Sequence, residues 1–443
     1  MTCIKVVRSS RILASLLAFT TSLASAACPP DTFVHAADFR LGDYAMTQSN
    51  DNFGESMASD SRVVAVGAPR VDRSGSVGGA VFLFQRGATP STWNYLKQLT
   101  EANFAEGGDL FGSALAMQKN VLIVAAPSGG DMASNDSGKV QVFERDQGGS
   151  NQWGLKQDIV AQSSAGNVSF GKSLALARDR LLVADPQAAG SNGEVYVYER
   201  NGLGQFARVA TLSKPDAGGN NHFGDTVALY ADTAVVADPA YDANPSRSGL
   251  EGRVYVFQRD QGGPGQWGLV TRLVTTPADN DSFGIAVSIS HDRIAVGTGV
   301  PAAGQVFVFG RDAGGSDQWG QIQRLAAPSG DAGASDGFGH ALDLHKWELV
   351  VGAPGVQGAQ ASTGAAYVYQ RVPMSSPEHW SLLQKFYAAG NNYRSDFGVA
   401  MDWSHGFAAL GDPLSDDPAF PAGSKVGHTY VFFDDEIMCT PFE

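Results

Sequence analysis

Apolar residues in this chain come in short runs separated by turn-forming residues, and this spacing predicts β-strands rather than helices. One phrase occurs seven times: it begins Phe-Gly, continues through a small residue and an apolar run, and in six copies ends at a proline sixteen positions after the Phe. The repeats begin at Phe53, Phe111, Phe170, Phe223, Phe283, Phe338 and Phe397. A fixed block within a loosely constant period predicts a repeat architecture.

Each repeat contains four predicted strands. The first follows Phe-Gly and carries a small residue, which indicates packing around a narrow axis. The second is a nearly continuous apolar run such as 121–124, typical of a strand that is buried on both faces. The third combines β-branched and aromatic residues, as at 254–257, and the fourth is more polar and often opens with tryptophan. Seven such repeats predict an all-β, seven-bladed β-propeller of four-stranded antiparallel blades.

The chain ends predict how the ring closes. The seventh repeat reaches its third strand at 429–432 and then lacks a fourth, whereas the segment 32–35 precedes the first Phe-Gly, where a fourth strand belongs. We therefore predict that the N-terminal strand completes the last blade. Cys28 and Cys439 lie just outside these strands, and an even pair of cysteines in an exported chain predicts a disulfide between them.

The first residues have the order of a secretory signal. Lys5, Arg8 and Arg11 precede a short apolar run at 12–19, which small residues follow. We predict a signal peptide at 1–27, a single propeller domain at 28–443, and a secreted, periplasmic or cell-surface location. A lipoprotein anchor at Cys28 is the alternative, although Ser25 stands where lipoproteins usually carry leucine. No later run is long and apolar enough to predict a transmembrane segment.

Composition narrows the choice of partner. The chain has 53 glycines and 17% charged residues, which fits a turn-rich β protein. Loss of residues 1–27 removes three positive charges and no acid, and so lowers the net charge from −14 to −17. Such an acidic surface argues against nucleic acid or anionic lipid as a partner. We expect a monomer.

The repeated phrase resembles the FG-GAP repeat family, best known from the propeller of integrin α subunits. The motif is intact from Phe53-Gly54 to Gly67-Ala68-Pro69 and from Phe338-Gly339 to Gly352-Ala353-Pro354, and it departs furthest at 297–299. The resemblance covers residues 28–443, is closest to bacterial exported members, and implies a seven-bladed propeller used for binding or adhesion outside the cytoplasm.

The resemblance does not bring the family's calcium sites with it. Integrin-type repeats often carry a calcium loop between the first and second strands, and calcium needs six to eight oxygen ligands. In this chain a tight hairpin such as 178–180 stands at that place. We therefore expect no calcium, no other metal and no cofactor.

Several polar and aromatic residues are candidate site residues. Asp185, Asp238 and Asp412 replace the alanine of Gly-Ala-Pro, where they would either bind a cation or polar ligand or hydrogen-bond loop amides. Trp347 and Trp403 depart from the repeat pattern and complete the candidate binding face. The loops at 242–248 and 414–425 are the longest on the predicted variable-loop face.

An acidic or amide residue also stands two positions before the Phe in five repeats, where it would form either a ring of ligands or an Asx-turn. These residues are Asp51, Asp109, Asn221, Asp281 and Asp336.

No catalytic motif accompanies these residues. The chain lacks Gly-x-Ser-x-Gly, His-Glu-x-x-His and a P-loop, and its eight histidines have no metal-ligand spacing. We therefore predict a non-enzymatic binding propeller that presents variable loops to a protein or glycan. The alternative is an extracytoplasmic hydrolase that acts on a polysaccharide or phosphoester at a site on the propeller axis.

Overall fold

The computed structural model describes residues 33–40, 51–73, 76–89, 92–101, 108–128, 138–161, 169–216, 222–242, 250–274, 282–299, 304–331, 336–357, 364–372, 378–388, 395–404, 407–415 and 425–434. They form seven four-stranded antiparallel sheets, each a blade of one propeller, which confirms the predicted fold. Each inner strand contacts the inner strands of both neighbouring blades, so the seven inner strands surround a common axis.

The strands follow the repeats. Blade 1 contains β2 (Ser56–Ser59), β3 (Val63–Ala68), β6 (Ala80–Arg86) and β7 (Trp93–Leu99), with the small hairpin β4 (Asp72–Arg73) and β5 (Ser76–Val77) inserted. Blade 2 contains β8 (Ala114–Gln118), β9 (Val121–Ala126), β10 (Lys139–Glu144) and β11 (Gly154–Val160). Blade 3 contains β12 (Leu174–Ala177), β13 (Arg180–Asp185), β14 (Glu194–Arg200) and β15 (Phe206–Ser213), with the short helix α1 (Ala188–Ser191) inserted.

The remaining blades repeat this order. Blade 4 contains β16 (Thr226–Tyr230), β17 (Thr233–Asp238), β18 (Arg253–Arg259) and β19 (Trp267–Leu273). Blade 5 contains β20 (Val287–Ser290), β21 (Arg293–Gly297), β22 (Gln305–Gly310) and β23 (Gly320–Ala326). Blade 6 contains β24 (Leu342–His345), β25 (Glu348–Ala353), β26 (Ala365–Arg371) and β27 (Trp380–Tyr387). Blade 7 contains β28 (Met401–Ser404), β29 (Phe407–Asp412), β30 (His428–Asp434) and β1 (Phe33–Arg40).

Blade 7 combines the two ends of the chain. Its outer strand β1 pairs antiparallel with β30, with Asp38 opposite Tyr430 and Arg40 opposite His428. The predicted closure by the N-terminal strand is thus confirmed. Cys28 and Cys439 lie outside the described residues, so the disulfide stays a prediction, as does the signal peptide at 1–27.

The phenylalanine of each repeat anchors its own blade. All seven are buried, at 0% or 1% exposure. Most meet an aromatic ring of the third strand edge-on: Phe223 lies 5.4 Å from Tyr255, and Phe338 lies 5.3 Å from Tyr367. Such edge-to-face pairs contribute about 0.5–1.5 kcal/mol beyond the area they bury. The repeated Phe is therefore a packing residue.

Besides the glycine of Phe-Gly, each blade has another glycine, at an equivalent position of the repeat, that sets the distance to the next blade. It precedes the third strand of each blade, has a positive φ of 69° to 90°, and lies against the Phe of the next blade. A Cβ on any of them would lie 2.1–2.4 Å from the carbonyl oxygen of that Phe, so no larger residue fits. The set comprises Gly79, Gly138, Gly193, Gly252, Gly304, Gly364 and Gly427. Since Gly427 meets Phe53, this contact also spans the closure between blades 7 and 1.

Candidate functional site

Inner-strand side chains join each blade to the next around the axis. The hydroxyl of Ser173 accepts a hydrogen bond from the backbone N–H of Val227 at 3.1 Å, and that of Ser288 accepts one from Leu344 at 3.0 Å. The inner strands leave backbone groups unpaired at their axial edge, and these side chains satisfy some of them. The repeat position of Ser288 is an aspartate in blades 6 and 7, namely Asp343 and Asp402.

The two axial aspartates influence each other's ionisation. Asp343 accepts a hydrogen bond from the backbone N–H of Trp403 at 2.6 Å, and the hydroxyl of Ser59 donates to Asp402. Burial raises the pKa of Asp343 above its ordinary value. Burial raises the pKa of Asp402 further, and the neighbouring charge of Asp343 adds to that shift. Both aspartates are half-buried. Sequence analysis missed this pair, although the aspartates occupy one repeat position.

The three aspartates predicted at the variable-loop face are fully buried. Each accepts a hydrogen bond from the residue before a repeat Phe: Asp185 from Ser169 at 3.0 Å, Asp238 from His222 at 3.1 Å, and Asp412 from Asp396 at 2.9 Å. This is the loop-amide contact that the sequence offered as one alternative. Their role in ligand binding stays a prediction.

The surroundings of these aspartates differ. Lys214 forms an ion pair with Asp238 at 2.9 Å, whereas Ser395 donates a hydrogen bond to Asp412. Burial raises the pKa of Asp412 to about 7 and also raises that of Asp185. Each of the three carboxylates thus accepts a hydrogen bond from an equivalent backbone N–H, whereas their side-chain partners differ.

Each repeat carries one aspartate at either of two positions. Blades 3, 4 and 7 have it after the second strand, whereas blades 1, 2, 5 and 6 have it two residues before the Phe, at Asp51, Asp109, Asp281 and Asp336. In these four blades the residue before the Phe has a positive φ: 56° at Asn52, 57° at Leu110, 50° at Ser282 and 64° at Gly337. Ser169, His222 and Asp396 are not among the positive-φ residues of the described ranges. The two positions are thus alternative ways of entering the inner strand, a relationship that sequence analysis missed.

The two tryptophans among the candidate site residues have opposite environments. Trp403 is 6% exposed and packs in a core cluster with Phe386 and Tyr430, whereas Trp347 is 54% exposed. Trp347 lies in the turn between β24 and β25. We call the surface formed by such turns, together with the turns between third and fourth strands, the hairpin face. It is opposite the variable-loop face, where most of 242–248 and 414–425 lies outside the described residues.

Trp347 is held in place by charged neighbours. The guanidinium of Arg371 stacks over its ring at 4.7 Å, and the backbone N–H of Arg371 donates to its carbonyl at 2.7 Å. Glu378 binds Arg371 at 2.7 Å and Arg293 at 2.5 Å. An exposed aromatic ring therefore rests on an ordered ionic cluster.

Basic residues occupy the first position of several two-residue turns on the hairpin face. Lys119, Arg178, His291 and Lys346 are all exposed and have φ values of 51° to 56°. Lys119 and Arg178 line one groove of about 850 Å³ between blades 2 and 3. Turns of two residues cannot gather a calcium cage, and no group of three metal-ligating side chains occurs in the described part of the chain.

Arginines at the end of the third strand, or just after it, connect blades 3, 4 and 5 to the preceding blade. Arg200 pairs with Glu144 of blade 2, and Arg259 pairs with Glu199 of blade 3 at 3.3 Å. Arg311 donates to Gln258 of blade 4 at 3.2 Å. Contacts with the preceding blade therefore account for the arginines of blades 3, 4 and 5.

Comparisons with known proteins agree with the repeat. A family model described as "FG-GAP repeat" matches residues 47–84, 93–143, 206–257 and 319–369. No curated protein matches the chain. Across the described ranges, no helix is long and apolar enough to cross a membrane.

Several solved structures are similar to this chain at low identity. A Lactobacillus plantarum protein is 18% identical over 75% of this chain and 84% of its own, with a TM-score of 0.49. Sqt1 of Saccharomyces cerevisiae is 13% identical over 88% of this chain and 97% of its own, with a TM-score of 0.44. The periplasmic gluconolactonase PpgL of Pseudomonas aeruginosa is 16% identical over 75% and 85%, with a TM-score of 0.46. These likenesses concern the fold alone. The four repeat matches and the seven blades together identify the chain as a seven-bladed β-propeller that carries FG-GAP repeats.

Proposed function

We propose that this protein is a non-enzymatic binding propeller that acts outside the cytoplasm and holds a glycan or protein partner on its hairpin face. The observation that carries the proposal is Trp347, whose large apolar ring is 54% exposed on an otherwise polar turn. The predicted signal peptide at 1–27 supports the location.

The contacts of Trp347 favour binding over simple surface exposure. An exposed tryptophan side chain that is unrestrained loses rotamer freedom when a partner binds, and this loss reduces the affinity. A side chain that is already ordered before binding loses less. Arg371 and Glu378 supply this order through the stacked guanidinium and its ion pair. Tryptophan and arginine are also the residues that most often dominate binding energy at interfaces.

A glycan and protein array tests the proposal. The intact protein should bind at least one ligand, and Trp347→Ala should weaken that binding at least tenfold. Leu203→Ala is the matched control, because Leu203 is 77% exposed on another turn of the same face and lacks the ionic support. An array without any ligand, or equal loss in both variants, would contradict the proposal.

The axial carboxylates favour a second candidate, a hydrolase that acts on a polysaccharide or phosphoester. Asp343 and Asp402 form a pair with raised pKa values, as general acids require. Their hydrogen bonds to blades 7 and 1 equally fit a role in holding the ring together. Hydrolysis of a substrate panel by the intact protein, abolished in Asp402→Asn without any loss of thermal stability, would select this candidate.

A further inference from the structure

We propose that the hairpin face binds an acidic polysaccharide, whose carboxylates are held by Lys119 and Arg178 in the groove between blades 2 and 3. This inference rests on the proposed function and names the chemical class of its ligand.

Backbone geometry does not account for the choice of these two residues. Lys119 and Arg178 have φ values of 55° and 56°, in the left-handed region that glycine, asparagine and aspartate occupy most readily. A long basic side chain gains nothing locally at such a position and costs about 1 kcal/mol or more relative to glycine. Four blades nevertheless place a basic residue there, and those of blades 2 and 3, Lys119 and Arg178, line one groove.

The groove keeps these two cations available. Among its lining residues, Glu144 is already paired with Arg200 and with Lys156 at 3.6 Å, and Arg145 is paired with Asp60 at 3.1 Å. Across the described ranges no ion pair is formed by Lys119 or Arg178. The lining carries four basic side chains against three carboxylates, in a chain with a net charge of −14. Apart from the pairs of Arg200 with Glu144 and of Arg145 with Asp60, it leaves Lys119 and Arg178 beside Asp146 and Asp179. Lys119 and Arg178 are therefore exposed cations in a nearly neutral groove of an acidic protein.

The polarity of the hairpin face favours a polysaccharide over a protein. Protein interfaces need an apolar centre. The exposed large apolar side chains of the described chain lie mainly on or beside the outer strands, and Leu203 and Trp347 are the ones on the hairpin face. The groove instead offers amides from Gln118, Asn120 and Gln147, which can hydrogen-bond sugar hydroxyls. Trp347 in blade 6 provides a ring on which the apolar face of a sugar can stack.

Binding of polygalacturonate tests the inference, with its fully methyl-esterified form as a control that has the same backbone without charge. We expect the intact protein to bind polygalacturonate at least tenfold more tightly than the ester, with an affinity that falls as salt rises. Lys119→Gln/Arg178→Gln should remove that difference. Arg70→Gln/Lys172→Gln is the matched control, because it removes two exposed charges on the opposite face and should leave the difference intact.

The outcomes separate the two proposals. Equal affinity for the acid and the ester, no binding to either, or equal loss in both double variants would overturn the inference. In each of these cases a Trp347-dependent ligand on the array would still support the proposed function. If instead the protein still binds polygalacturonate more tightly than the ester while Trp347→Ala has no effect on any ligand, the inference stands. The proposal that Trp347 contributes to binding is then wrong.

Discussion

The hydroxyl of Ser395 donates a hydrogen bond to the carboxylate of Asp412. Ser395 lies two residues before the repeat Phe and Asp412 lies at the end of the second strand, and each repeat has its aspartate at one or the other of these positions. Asp412 also accepts the N–H of Asp396 at 2.9 Å. Blade 7 therefore shows both positions in direct contact. The exchange has a physical basis, since both positions lie beside the same entry into the inner strand.

Moving the aspartate within blade 7 tests this exchange. Asp412→Ala leaves the Asp396 N–H without its acceptor and should lower the free energy of unfolding by about 1–3 kcal/mol. Adding Ser395→Asp should restore part of that loss, because it recreates the arrangement of blades 1, 2, 5 and 6. Chemical denaturation measures both changes. The control is Ser395→Asp alone, which places two carboxylates together and should be destabilising; a stabilised single variant would refute the exchange.

The glycine contact between blades predicts a strong steric effect. Gly252→Ala would place a Cβ 2.2 Å from the carbonyl oxygen of Phe283 on a backbone with φ of 69°. We expect a loss of about 2 kcal/mol or more, because the clash is with backbone and the conformation is itself unfavourable. Thermal unfolding against Gly202→Ala provides the comparison, since a Cβ at Gly202 meets nothing within 4 Å. Equal melting temperatures for the two variants would mean that the blades are not in this register.

Three aspartates with raised pKa values predict that the stability of the folded protein depends on pH. Burial raises the pKa values of Asp402 and Asp343 in the folded protein, and it raises the pKa of Asp412 to about 7. Unfolded aspartates titrate near pH 4, so the folded state binds more protons between about pH 4 and 8. The stability that these groups contribute is therefore complete at low pH and is lost as the pH rises through their folded pKa values.

Asp402→Asn should flatten this profile. The amide keeps an acceptor for Ser59 but cannot ionise, so the variant should exceed the wild type in stability at pH 8 by on the order of 1–3 kcal/mol. Denaturation at pH 5, 6.5 and 8 measures the slope, with Asp260→Asn on an exposed turn as the control variant. A steeper slope in Asp402→Asn, or an equal change in the control, would disagree with the raised pKa.

The sequence predicted the fold well because its signal is local and repeated. Phe223-Gly224, the apolar second strand and the aromatic third strand recur at nearly constant spacing, so errors in one copy are corrected by the others. The missing fourth strand of blade 7 likewise made the pairing of β1 with β30 predictable. The contact between Gly252 and Phe283 was missed because it joins two blades, and only a closed ring brings them together.

The candidate site was less predictable. The exposure of Trp347 and the burial of Trp403 depend on one being in a turn and the other in a strand, which their neighbours in sequence distinguish only weakly. The axial pair of Asp343 and Asp402 lies at one repeat position in successive blades. Alignment of the seven repeats shows this position, but its pKa shifts depend on depth within the axis, which a sequence does not contain.

The closed seven-bladed ring is the claim on which the other conclusions depend, and its least local element is the pairing of β1 with β30. Hydrogen–deuterium exchange of the intact protein measures this pairing directly. We predict that amides in 33–40 are protected to the level of β27, the outer strand of blade 6. Exchange of 33–40 at the rate of an unstructured chain, with β27 still protected, would contradict the ring.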